Sequence, residues 1–162
     1  SLQENDIHPV EFAQTLDEFL TAVRARWDGR LAVELRTQAH FTPRYLDVLK
    51  AHGVVHVLNA WTRMPGIGWQ FGELTARHGV GWPYFVARAL LRSGVRYEDA
   101  SSYAPYDRIV TRAPEVRADI LRLLREAAAE TPVYVLVNNH LEGHSPGTIE
   151  ELQQELKKAP LG

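Results

Sequence analysis

Glu34, Arg36 and Arg88 are charged residues set in otherwise apolar, strand-like runs, Leu31-Ala32-Val33-Glu34-Leu35-Arg36 and Tyr84-Phe85-Val86-Ala87-Arg88-Ala89-Leu90-Leu91. Charges in such positions are unfavourable to bury unless they are paired or used. A guanidinium fork matches the geometry of a carboxylate or phosphate, and a carboxyl group beside it can carry a proton. Two further polar sets follow apolar runs: Asn59 and Trp61 after Val54-Val55-His56-Val57-Leu58, and Asn138, Asn139, His140 and Glu142 after Val133-Tyr134-Val135-Leu136-Val137. Parallel α/β sheets carry their sites at the C-terminal ends of the strands. The spacing therefore predicts a polar pocket there, with Glu34, Arg36 and Arg88 as catalytic candidates. Asn59, Trp61, Asn138, Asn139 and Glu142 are the substrate-binding candidates. A purely structural alternative stands beside it, in which Glu34 pairs with Arg36 or Arg88 and the Asn doublet caps a turn through side-chain to backbone bonds.

Other chemistries find weaker signals. The chain has no cysteine, which excludes disulfides, thiolate metal sites and a thiol nucleophile. His140 and His144 flank Glu142, but Gly143, Ser145 and Pro146 put them on an expected loop, without the helical His-Glu-x-x-His zinc spacing. No metal and no cofactor is expected. His56, inside an apolar run, reads as a core histidine. Gly66, Gly68 and Gly72 do not fit the dinucleotide fingerprint, and no phosphate-loop lysine motif or Gly-x-Ser-x-Gly elbow is present. Trp61, Trp69, Trp82, Tyr103 and Tyr106 could stack on a ring, although aromatics at such spacing are more often packing residues.

The elements that must position these residues alternate. Phe12, Leu16, Phe19, Leu20, Val23 and Trp27 share one helical face behind Pro9. Thr42-Pro43 starts a helix that should end near Gly53, and another should cover 69–78. Residues 92–113 form a long connection without clear periodicity. Pro114 opens the clearest helix, burying Val116, Ile120, Leu123, Leu124 and Ala127. A last helix starts around Thr148, with Thr148 and Glu151 spaced as a capping box. Apolar strands separated by helices argue for a parallel sheet covered by helices. One α/β domain over residues 1–162 accounts for the chain, with no repeat or linker. Eighteen Lys and Arg against 20 Asp and Glu give a net charge of −2, which disfavours a dedicated nucleic-acid binder. The apolar runs are too short to span a bilayer, and Ser1-Leu2-Gln3-Glu4-Asn5-Asp6 does not read as a signal peptide. The expected setting is the cytoplasm.

Val33-Glu34-Leu35-Arg36, Phe41-Thr42, His52-Gly53-Val54 and Leu58-Asn59-Ala60-Trp61-Thr62-Arg63-Met64-Pro65 together resemble domain-of-unknown-function family 72 (DUF72), the YecE-like proteins. Phe85-Val86-Ala87-Arg88, Tyr97-Glu98-Asp99-Ala100, Pro105-Tyr106-Asp107-Arg108 and the run from Val135 through Asn138-Asn139 to Pro146-Gly147-Thr148-Ile149 extend the likeness to nearly the whole chain. The resemblance implies a TIM-barrel-like fold and no established activity, with Glu34, Arg36, Asn59, Arg88, Asn138 and Asn139 at the polar barrel mouth. It also implies a departure: the family's opening half is missing, so this chain supplies only the later half of a barrel. The expectation is a fragment of a longer protein, a homodimer that closes the barrel, or a rearranged open sheet.

The function expected first is a metal-independent enzyme acting on a small anionic metabolite, with Glu34 as acid or base and the two arginines holding the anion. A non-catalytic module that binds a metabolite or a nucleic-acid phosphate is the alternative. A scaffold whose ion pairs are structural comes third.

Overall fold

The computed structural model describes residues 7–92, 94–127 and 131–158; the acidic opening at 1–6 lies outside them. Helix α1 (Pro9–Arg24) begins with Pro9 in its first turn, where a missing N–H leaves no bond unmade. Its apolar stripe buries Ala13 and Leu20, but Phe19 faces solvent and Trp27 lies past the helix end. The predicted six-residue face is therefore narrower than expected. Strand β1 is only Ala32–Val33, so Glu34 and Arg36 stand beyond the strand rather than within it. Helix α2 (Pro43–Ala51) starts as its sequence dictates: the Thr42 hydroxyl accepts from the Tyr45 N–H at 3.2 Å. Gly53, at φ +60°, makes the left-handed turn into strand β2 (Val55–Ala60), and α3 (Ile67–His78) follows.

Strand β3 spans Phe85–Ala89, shorter than the run predicted for it. The connection after it holds a one-turn helix α4 (Tyr97–Ala100) and a 3-10 turn at Ser101–Tyr103. Helix α5 (Pro114–Glu126) leads to strand β4 (Val133–Val137). Residues expected as loop after β4 instead form a one-turn helix, α6 (Asn139–Glu142). The last helix, α7, runs Ser145–Lys158 and starts three residues before the predicted point. The capping box does not form. Thr148 sits buried in the first turn and donates to Glu142, and Glu151 pairs with arginines instead.

The strands form one parallel sheet in the order β1-β2-β3-β4, with helices between successive strands. Register puts Val57, Val86 and Tyr134 side by side, and likewise Asn59, Arg88 and Leu136. Alternation then assigns the sheet two unlike faces. Phe85, Ala87 and Ala89 point into the main core, where Phe71 of α3 meets Phe85 edge-on at 5.5 Å. On the other face β4 presents Tyr134 and Leu136 to solvent, 44 % and 50 % exposed. This is the arrangement of an opened TIM-like barrel, with helices outside and the inner face open at β4, while Val57 and Asn59 of β2 on that face are buried.

Candidate functional site

The C-terminal edge of the sheet gathers the charged residues. The Arg88 guanidinium donates to the Glu34 carboxylate from the end of β3, and Arg36 Nε lies 3.1 Å from the other Glu34 oxygen. One carboxylate thus faces two guanidinium groups. Their side chains are not sealed off: Arg36 is 44 % exposed, Arg88 35 % and Glu34 16 %. The Arg36 guanidinium also lies over the Trp61 ring at 4.4 Å, a stacking that suits its planar, weakly hydrated cation. Glu34, Arg36, Arg88 and Trp61 are therefore brought together.

Asn59 has a different place from the one predicted. It is fully buried within β2, and its amide nitrogen donates to the Leu35 carbonyl at 2.8 Å. Leu35 separates Glu34 from Arg36, so Asn59 pins the irregular segment that carries both. Its own side-chain oxygen has no hydrogen-bond partner. Gln70 of α3 clamps Asn59 in turn, accepting from its backbone N–H at 3.1 Å and donating to its carbonyl at 2.8 Å. The same Gln70 oxygen accepts from His56 Nε2 at 3.0 Å, and His56 Nδ1 lies 2.8 Å from the Tyr45 hydroxyl, which also reaches the Val33 carbonyl at 3.4 Å. With Nε2 donating to Gln70, a neutral ring accepts from Tyr45 at Nδ1. Burial pushes His56 down to about 4, against a smaller upward pull from Gln70, and burial raises the Tyr45 phenol.

Beyond β4 the predicted residues diverge. Asn138 caps α6 by accepting from the His140 N–H at 2.9 Å, while its own N–H donates to the Ala89 carbonyl. Asn139 turns the other way and accepts from the Ser145 N–H and hydroxyl at 2.8 and 2.7 Å. The doublet's side-chain oxygens thus serve the turn. Glu142, expected among the binding residues, is placed where α5, α6 and α7 meet. It is fully buried and accepts from Ala113 N–H, from Arg117 Nε and Nη2, and from the Thr148 hydroxyl, at 2.5–2.8 Å. Burial alone would raise this carboxyl, but those donors outweigh it and hold it below the usual range. Arg112, and then Arg117, draw the neighbouring Glu151 down to about 2.

Several residues of consequence escaped sequence reading. Arg117 had a signal: it precedes Ile120 and Leu121 by three and four residues, on the buried face of α5, where a charge demands a partner. Gln70 and the Tyr106–His140 contact had none, because their partners lie far away in sequence. His140 Nε2 meets the Tyr106 hydroxyl at 2.9 Å, and its ring meets Tyr97 edge-on at 4.4 Å. His144 Nδ1 accepts from the Gly147 N–H at the start of α7. Among the described residues, no group of three His, Cys, Asp or Glu side chains could hold a metal ion. No helix among them is long and apolar enough to cross a membrane.

The charged cluster can exchange its internal carboxylate for an external anion, since an arginine released from Glu34 presents a bidentate fork toward solvent. Comparison with known proteins adds the fold and the family. A crystal structure at 3.10 Å of a DUF72 family protein from Enterococcus faecalis V583 superposes with a TM-score of 0.57 at 16 % identity. The match covers 89 % of this chain and 53 % of that one, so the chain spans about half the length of the solved protein. No curated protein matches. The family described as protein of unknown function DUF72 matches residues 5–161, and the chain belongs to that family.

Proposed function

We propose that the protein binds a small anion, a phosphate or carboxylate carried by a metabolite, at the Glu34–Arg36–Arg88 cluster. One observation carries this reading. Two part-exposed guanidinium groups share a single carboxylate, leaving one positive charge uncompensated among the described residues at the C-terminal edge of a parallel sheet. A purely structural pair would satisfy both partners, as Arg117 and Glu142 do. An incoming anion takes one guanidinium and frees Glu34, which then stands beside the ligand as a proton acceptor or donor. That second step would make the protein a metal-independent enzyme, and without it the site is a binding module.

A thermal-shift and calorimetric screen against phosphorylated sugars, nucleotides and small carboxylic acids tests the reading. A ligand at 100 times its Kd stabilises by about 2.7 kcal/mol. Binding should weaken at least tenfold in Arg88→Ala while the variant remains folded. Equal binding by Arg88→Ala and Arg36→Ala removes the cluster as the site. With a ligand in hand, Glu34→Gln separates the two outcomes: retained binding with lost turnover marks an enzyme.

A further inference from the structure

A second feature adjoins the arginine cluster, and it bears on what kind of anion enters. Past the ends of β2 and β3 lies a cavity of about 400 Å³, walled by Trp61, Leu91, Val95, Arg96 and Tyr97, with Glu98 at its margin. That volume falls within the range of small-molecule sites. Its floor is a small apolar cluster distinct from the main core, in which Leu90, Leu91 and Ala100 are buried and Trp61, Val95 and Tyr103 pack against them. The walls include two large ring systems. Trp61 belongs to both the cavity and the arginine cluster, because Arg36 lies over its ring. Tyr97 is 52 % exposed, yet it is braced from behind by His140, whose own orientation is fixed by the Tyr106 hydroxyl. A half-exposed aromatic held by a hydrogen-bonded neighbour is a preorganised stacking surface.

The charges around the cavity narrow the choice. Arg96 is already matched by Asp99 through two hydrogen bonds of 3.0 Å. Glu98 adds a negative charge at the margin. Arg92 meets the neutral Tyr103 hydroxyl at 2.6 Å and no carboxylate among the described residues, and on the Trp61 side the surplus positive charge is that of Arg36 and Arg88, which share Glu34. We infer that the site takes a planar, ring-bearing anion, its ring between Trp61 and Tyr97 and its single anionic group on the Arg36–Arg88 pair. This rests on the anion-binding reading and adds the ring.

A matched pair of probes tests it. Benzoate and cyclohexanecarboxylate carry the same charge at nearly the same size, but only benzoate has an aromatic face. The saturated ring is the more hydrophobic, so an apolar cavity without stacking would favour it. Calorimetric or NMR titration of the full chain should find benzoate binding more tightly, by about three- to tenfold. Trp61→Ala and Tyr97→Ala should each abolish the preference, and Trp61→Phe should keep it, which guards against loss of folding as the cause. Adenosine 5′-monophosphate, run beside ribose 5-phosphate, asks whether the ring is a nucleobase. Equal or tighter binding of cyclohexanecarboxylate overturns the inference, as does a preference that survives both alanine variants. If both carboxylates bind without preference and both are lost in Arg88→Ala, the anion site stands and the ring does not. If neither carboxylate binds at millimolar concentration, the ring inference falls, and the phosphate arms of the screen decide the anion site on their own.

Discussion

Glu34 and Glu142 are the same residue type, each facing arginine, and their surroundings assign them opposite roles. Glu34 is partly open to solvent and shared between two guanidinium groups. Glu142 is sealed, with a full set of donors from α5 with its N-cap and from α7. Its work is to tie α6 to the first turns of α5 and α7, and thereby to hold the turn after β4 in place. Removing one partner of such a pair strands a buried charge, which costs about 3–5 kcal/mol. Glu142→Ala should lose stability in that range by chemical denaturation. The combined Glu142→Leu, Arg117→Met variant should recover much of the loss, because neither charge is then left alone. A loss below about 1 kcal/mol in the single variant would show that the network is not structural. Sequence order placed Glu142 beside Asn138 at a strand end, and that adjacency is real. Burial there is set by α5 and α7, about 25 and six residues away, which a linear reading does not weigh. Glu34 and Arg88 were legible because a charge among apolar strand residues is itself anomalous.

At the scale of elements, strand β2 is the spine of the site, and α2 and α3 hold it through polar contacts in the core. Tyr45, His56 and Gln70 form a chain of hydrogen bonds that ends on the Asn59 backbone, and Asn59 then holds Leu35. Phe41 closes the His56 ring edge-on at 4.8 Å, and burial disfavours a second proton there. The folded protein depresses His56 to about 4, whereas the unfolded chain takes that proton near 6.5. Below pH 6.5 the unfolded state therefore binds more protons, and stability falls as pH drops from about 6.5 to about 4. The full effect of this one group is about 3 kcal/mol. Denaturation midpoints of the protein and of His56→Gln, compared from pH 7.5 to pH 4, should converge as pH falls. Parallel curves would mean that His56 is not held neutral. The helices themselves were readable from Pro9, Thr42-Pro43 and Pro114, since caps and first-turn prolines act locally. Strand limits were less so. β1 keeps two residues because the chain beyond Val33 is drawn into the site by Asn59, a contact 24 residues away.

The molecule as a whole is a parallel half-barrel with work left for its edges. β1 and β4 are terminal in the sheet order and run in the same direction, so β4 of one copy can continue in parallel onto β1 of another. A two-fold axis makes that contact twice and closes the sheet. Tyr134 and Leu136 are exposed on the face that closure would enclose, and Arg30, over the Tyr84 and Tyr134 rings at 5.4 and 6.0 Å, covers only one end of it. An uncovered apolar face with two open parallel edges favours association. Sedimentation of the 162-residue chain should therefore give a mass above 18.3 kDa, and Leu136→Asp, placed on the exposed face, should lower it without unfolding the helices. A monomer of 18.3 kDa that melts cooperatively and is unchanged by Leu136→Asp would show that the half-barrel is stable with its inner face open at β4. The ligand cluster would then work from an open edge. Should the dimer form, its second sheet would stand across from Arg88 and Leu136, and anion affinity should rise with protein concentration through the same range as the mass. Affinity independent of concentration would confine the site to one chain.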